Sequence, residues 1–183
     1  MLFRSFDVPN SRQGWLAHPH PIPRPLRAWL DDTGSLTQRL KARCLRFRVQ
    51  PLAVGIARPN PDEIELLGLR PGMRAYVREV LLLCNEVPVV FAHSVLPQSG
   101  LRGGWNGITR LGTRSLGEAL FNDHRIARQP LAYKAVRRGH PLFDRIAAPH
   151  AQARALWARR SLFCLHHHPL LVTEVFLPAI ETL

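Results

Sequence analysis

Two apolar runs, Ala75 to Cys84 and Val87 to Leu96, are separated only by Asn85-Glu86. A two-residue spacer between such runs is the spacing of a tight β-hairpin, although glutamate is not the usual second turn residue. This pairing constrains the fold most, because it makes an antiparallel sheet the frame to which the other segments must be fitted. Pro88 suits an edge or a strand start, where its missing N–H is tolerated. A second hairpin is expected near the C-terminus, where Leu156 to Leu165 and Leu170 to Leu177 flank His166-His167-His168-Pro169.

The remaining segments divide into one strand and several short helices. Cys44 to Gln50 alternates Leu45, Phe47 and Val49 with Arg46 and Arg48, the two-residue period of a half-buried strand; Pro51, Pro59 and Pro61 then interrupt the chain. Asp62 to Leu69 reads as a short helix or turn. Helical spacing first appears at Leu26, Trp29 and Leu30, before a break at Asp31-Asp32-Thr33-Gly34. Ser35-Leu36-Thr37-Gln38 and Ser115-Leu116-Gly117-Glu118 both have the form of a capping box, which predicts helices starting at Leu36 and Leu116. The glycine-rich stretch 99–110 reads as a loop. Together these elements predict an α+β fold with an antiparallel sheet. Residues 1–25 hold five of the sixteen prolines and read as an N-terminal arm that wraps the domain or stays loose, leaving 26–183 as a single domain.

Composition excludes several classes. At 46% hydrophobic and 21% charged residues, the chain is too apolar for a disordered tail and can bury a core. No apolar run approaches the roughly 20 residues of a membrane span, and the first residues, MLFRSFDVPNSRQGW, lack the apolar run of a signal peptide. A cytoplasmic monomer is expected. Cys44, Cys84 and Cys164 are odd in number and widely spaced, which argues against a disulfide framework and a Cys-based zinc site. Cys84 and Cys164 read as core packing. The 25 Lys and Arg against 13 Asp and Glu, a net charge of +12, raise nucleic acid as a partner. The basic residues are nevertheless scattered from Arg4 to Arg160, with local groups at Arg43-Arg46-Arg48, Arg137-Arg138 and Arg159-Arg160, the pattern of solvated surface. No nucleic-acid partner is expected.

Chemistry concentrates at few positions. On the two-residue period Tyr76, Arg78, Val80, Leu82 and Cys84 share a face, which sets a guanidinium among apolar neighbours where burial demands an anion. Leu170, Val172, Glu174 and Phe176 repeat the situation with opposite charge. Arg78 and Glu174 either pair with each other or together orient a ligand in a cleft. The two helix starts leave amide N–H groups without intrahelical partners at or next to Leu36 and Leu116, and these can hold anionic oxygens in combination with Arg78. His18 and His20 alternate with prolines, and His166 to His168 occupy a turn; no H-E-x-x-H motif or cysteine partner completes a metal site. GLRGGWNG lacks the G-K-[ST] of a phosphate loop, and no G-x-S-x-G elbow is present.

The segments LTQRL (36–40), YVREVLLL (76–83), VVFAHSVLP (89–97), LGTRSLGEALF (111–121), LWARRSLF (156–163) and PLLVTEVFLPA (169–179) resemble the chorismate pyruvate-lyase family, in the family's order, from about Leu26 to Ala179. The resemblance implies an antiparallel sheet with helical flaps closing over an internal site, and conversion of chorismate to 4-hydroxybenzoate and pyruvate for the ubiquinone ring. It implies ligand contacts at Leu36, Arg78, Leu116 and Glu174, with Arg78 and Glu174 as the catalytic pair and no metal or organic cofactor. His93 stands where the family often has arginine, which makes it a candidate secondary residue for affinity or product exit. The alternative within the same fold is a non-catalytic, small-molecule-sensing domain of the kind found in bacterial transcription regulators. Such sensors normally carry a helix-turn-helix domain, for which the residues before Leu26 are too few and too proline-rich.

Overall fold

The computed structural model describes residues 14–18, 22–146 and 153–183. Both hairpins form where the spacing predicts them. β2 (Ala75–Cys84) returns as β3 (Val87–Pro97), and β6 (Leu156–Leu165) returns as β7 (His168–Phe176). Asn85 and Glu86 turn with φ of 52° and 66°, and His166 and His167 with 48° and 66°. Two consecutive positive φ values match the right-handed twist of the flanking strands, so glutamate and histidine here adopt the backbone usually left to Asn-Gly. The second turn therefore needs only His166 and His167, and His168 already belongs to β7. Pro88 lies at the start of β3, beside a register shift between Leu82 and Leu83.

Among the described residues the hairpins join through β3 and β7 into a seven-stranded antiparallel sheet. β1 (Phe47–Ala57) lies outside β2, and β4 (Ala127–Arg128) and β5 (Ala132–Val136) both pair with β6. β1 corrects the expectation that Pro51 ends its strand. The strand runs on to Ala57, and the pairing absorbs the proline as an irregularity between Pro51 and Ala53. An edge strand can do this because one side of it has no partner to lose. β4 and β5 carry too few residues to show a period in the sequence.

Helices cover both faces. On one face lie α1 (Arg24–Leu30), α2 (Leu36–Lys41) and α5 (Leu116–Asn122). Trp29, Leu30, Leu36 and Leu40 pack with Val80, Leu82 and Phe176, while Leu116 and Leu120 pack with Tyr76, Phe163 and Leu170. Each such buried side chain contributes about 1.5–3 kcal/mol of transfer free energy, which docks helices too short to be stable alone. On the other face α3 (Pro61–Ile64) and α6 (Pro141–Asp144) cover the sheet, with Leu142 and Phe143 packed in one cluster with Trp15, Phe91 and Val175. Trp15, from the proline-rich segment, is buried in this cluster, and Leu16 bridges to Tyr133. The rest of the arm, residues 1–13 and 19–21 with His20, lies outside the described residues.

The glycine-rich stretch is not an open loop. It contains α4 (Gln98–Leu101) and a 3₁₀ turn at Ile108–Arg110, it buries Trp105 and Ile108, and Trp105 Nε1 donates to the His168 carbonyl at 2.9 Å. A Cβ at Gly103 would come within 2.5 Å of the His168 ring, and one at Gly104 within 2.7 Å of Leu165. These glycines permit close packing against the second hairpin.

Among the described residues no helix is long and apolar enough to cross a membrane. The cysteine expectation is overturned: Cys44 and Cys84 form a disulfide, leaving Cys164 free. Their distance in sequence, 40 residues, says nothing about distance in space. Pairing of Phe47 with Cys84 across β1 and β2 brings the residues just before β1 alongside the end of β2. Denatured without reductant, the protein is expected to titrate one thiol with a colorimetric reagent, and three after reduction. Three thiols before reduction would refute the pairing.

Candidate active site

Register places the site residues in two neighbouring rows across four strands. One row is Arg78, Ser94, Val172 and Ser161; the next is Val80, Ala92, Glu174 and Arg159. All point to the face covered by α1, α2 and α5, because alternate residues of a strand share a face. A cavity lies between these rows and the helices, walled by Val80, Leu82, Leu120, Phe121, Phe163 and Val172 among others. Arg78, Leu116 and Glu174 line it. Leu36 is buried beside it but not in the lining, where its neighbours Gly34 and Thr37 stand instead.

Arg78 and Glu174 do not pair with each other. Arg78 Nη2 donates to the carbonyls of Gly112 and Arg114, each at 3.0 Å, so a loop holds the guanidinium without neutralising it. Burial lowers its pKa, opposed by Tyr76, yet a guanidinium stays charged. With Nη2 occupied, the donors left for a ligand are on Nη1 and Nε. Glu174 Oε2 accepts from Arg159 Nε at 2.6 Å. Arg159, only 1% exposed, also donates to the carbonyls of Trp29 at 2.8 Å and Asp32 at 2.5 Å. Arg159 is hard to single out from the sequence: Arg159, Ser161 and Phe163 share a strand face, but the adjacent pair Arg159-Arg160 has the pattern of solvated surface.

The two helix starts meet over this floor. Ser35 caps α2, its Oγ accepting from Gln38 N at 3.4 Å. Ser115 does not complete the second expected capping box. Its Oγ instead bonds Thr37 Oγ1 at 2.6 Å, and Glu118 pairs with Lys41 of α2. The tertiary partner outcompetes the local one because both hydroxyls are buried and need each other. A Cβ at Gly117 would stand 2.8 Å from Thr37 Oγ1, so only glycine lets the helices approach this closely. The first amides of α5 are thus left without a side-chain cap, next to the cavity.

The chain matches the chorismate lyase family model over residues 12–182. It belongs to the chorismate lyase family. The match reaches into the proline-rich arm, further than the motifs from Leu26. A probable chorismate pyruvate-lyase of Thiobacillus denitrificans is 58% identical over 171 residues, covering 92% of this chain and 91% of the relative. One from Nitrosomonas europaea is 52% identical over 170 residues, covering 91% and 95%. In fold, the chain is similar to a GntR-family transcriptional regulator from Bacillus cereus, with TM-score 0.54 and 14% identity over 73% of this chain and 92% of that one. It is also similar to the effector domain of PhnF from Mycobacterium smegmatis, with TM-score 0.52 and 15% identity over 81% and 91%. At such identities the likeness concerns the fold.

In this chorismate lyase family member His93 stands apart from the cavity. It pairs with Glu79 and Thr173 in the row that faces the opposite side of the sheet, and it is 1% exposed. Nδ1 lies 2.9 Å from Glu79 Oε1, Nε2 makes an ion-pair contact with Glu63 Oε1 at 3.0 Å off the hydrogen-bond axis, and Arg145 Nη1 is 2.6 Å from Glu79. Burial pushes the imidazole pKa down, but Glu63 and then Glu79 outweigh it and raise it from 6.5 to about 9. A raised pKa means that the native state keeps a proton the unfolded chain releases, so this stabilisation is complete below about pH 6.5 and is lost as pH rises through about 9. The melting temperature of the wild type is expected to fall across that window, and to fall less in His93→Gln. Equal slopes in the two proteins would remove His93 as the cause.

Proposed function

We propose that this protein is a chorismate pyruvate-lyase that converts chorismate to 4-hydroxybenzoate and pyruvate and so supplies the ubiquinone ring, acting as a cytoplasmic monomer without a nucleic-acid partner. The observation that carries this reading is the cavity holding Arg78 and Glu174 on adjacent rows under two helix starts, in a chain whose relatives are named probable chorismate pyruvate-lyases.

Chorismate is a dianion with a non-aromatic ring. The C3–O bond breaks, the C4 hydrogen passes to the enolpyruvyl methylene, and the ring becomes aromatic. All atoms of both products come from chorismate, so the reaction calls for no oxidant, group carrier or separate protein base. What the protein must supply is a reactive pose and compensation for charge on the breaking ether oxygen. Arg78 holds the ring carboxylate through Nη1 or Nε; this replaces the bidentate fork that Nη2 would have completed. Amides at the starts of α2 and α5, at or next to Leu36 and Leu116, hold anionic oxygens. Glu174, oriented by Arg159, accepts the C4 hydroxyl.

The purified chain is expected to release 4-hydroxybenzoate, followed by its absorbance, from chorismate. Arg78→Ala is expected to lose roughly 100-fold in kcat/KM while keeping its circular dichroism spectrum. Full activity in the variant would remove Arg78 from the site. Chorismate bound but not turned over by the wild type would move the protein to the sensor class.

A further inference from the structure

Among the described residues, the charged side chains lining the cavity are Arg78, Arg159, Glu174 and Arg128. Three guanidinium groups against one carboxylate leave a surplus of two positive charges in a largely buried space. Arg159 is neutralised by Glu174, which leaves Arg78 and Arg128 to carry the surplus. Arg78 is buried and Arg128 half-buried; a desolvated cation without a counter-charge is costly, so the cavity suits a ligand that brings two negative charges.

Arg128 is well placed for one of them. It projects from β4, where Nε donates to Ser161 Oγ at 3.1 Å and Nη1 to the Thr33 carbonyl. Its guanidinium lies over the rings of Phe121 and Phe163, 5.2 and 5.3 Å from their centroids. These contacts use two of five N–H donors and fix the plane of the group, leaving donors for a ligand. Burial first, and then Arg159, lower its pKa, with Glu174 opposing; an incoming anion relieves both effects. Ser161 also ends the row that Arg78 begins. The row crosses three strand spacings of about 4.8 Å, or roughly 14 Å between its end Cα atoms. Arg78 at one end of this row and Arg128, from the strand beyond its other end, both line the same cavity.

We propose that Arg128 is a specificity-determining residue of this cavity, binding the second carboxylate of a dicarboxylate substrate while Arg78 binds the first. The assignment rests on the function proposed above, in which the second carboxylate is the enolpyruvyl one. With the ring carboxylate on Arg78 and the C4 hydroxyl on Glu174, the C3 substituent lies beside Glu174, on the side of the sheet from which Arg128 enters. The product 4-hydroxybenzoate has no such group and does not use Arg128.

The test compares wild type, Arg128→Gln and Arg128→Lys in the full chain, measuring kcat and KM for chorismate and calorimetric Kd for 4-hydroxybenzoate and chorismate. Arg128→Gln is expected to weaken chorismate on the order of 10- to 100-fold in KM or Kd, with 4-hydroxybenzoate changed less than about threefold and lysine recovering part of the loss. An equal loss for both ligands would reduce Arg128 to a clasp on Thr33 and Phe121, and no loss for either would remove it from the site; each overturns the proposal. Should the glutamine variant not fold, the lysine variant carries the same comparison. If the wild type fails to turn over chorismate, the enzymatic reading fails separately, and the binding preference of dianion over monoanion, with its loss in the variants, still decides the role of Arg128.

Discussion

The arrangement depends on one buried cation, Arg159. From the floor of the sheet it grips the Glu174 carboxylate with Nε and, with Nη1, carbonyls at the end of α1 and in the turn that follows. A helix C-terminus presents unpaired carbonyls and partial negative charge, so a guanidinium there satisfies both. The same group that orients the carboxylate lining the cavity therefore also fastens the first covering helix to the sheet. α2 then follows across a short turn, braced by Arg39, which pairs with Asp32 at 2.8 Å and lies 4.6 Å over the Trp29 ring. Removing one partner of such a pair is much worse than never having had it, because a buried charge is left alone.

The two-residue period divides neighbouring residues between two different environments. Arg159 faces the cavity, whereas Arg160 faces the opposite side, where it reaches Asp62 at 3.2 Å and lies 4.1 Å over the Trp15 ring. Beside it run Thr173, His93 and Glu79, and Glu63 and Arg145 complete the network from the covering segments. The back of the sheet is thus held by paired charges that tie α3 and the N-terminal segment to it, while the front keeps a surplus of positive charge. Of the +12 formal charge, these few buried arginines carry the specific work. The exposed remainder attracts anions at long range, an effect that salt screens.

Much of this was legible in the chain because it depends on local pattern. Both hairpins, the α2 start at Ser35, and the shared faces of Arg78 and Glu174 follow from period and turn length. The start of α5 at Leu116 follows from the same kind of local signal, the serine before it. What was not legible was choice of partner. Ser115 has a good local acceptor role in a capping box, yet it bonds Thr37 from a distant helix. Arg78 and Glu174 look complementary, yet each has a different partner. Cys44 and Cys84 look isolated and are joined.

By itself the sequence determined which residues share a face, because alternation along a strand is a property of the backbone. It determined the antiparallel frame and the family. Tertiary structure alone decided what stands across each face: that His93 lies behind the sheet, that Arg159 rather than Arg78 holds Glu174, and that Arg128 from a two-residue strand enters the cavity. These are contacts between residues far apart in the chain, set by the order in which strands pair, and no spacing within a segment encodes that order.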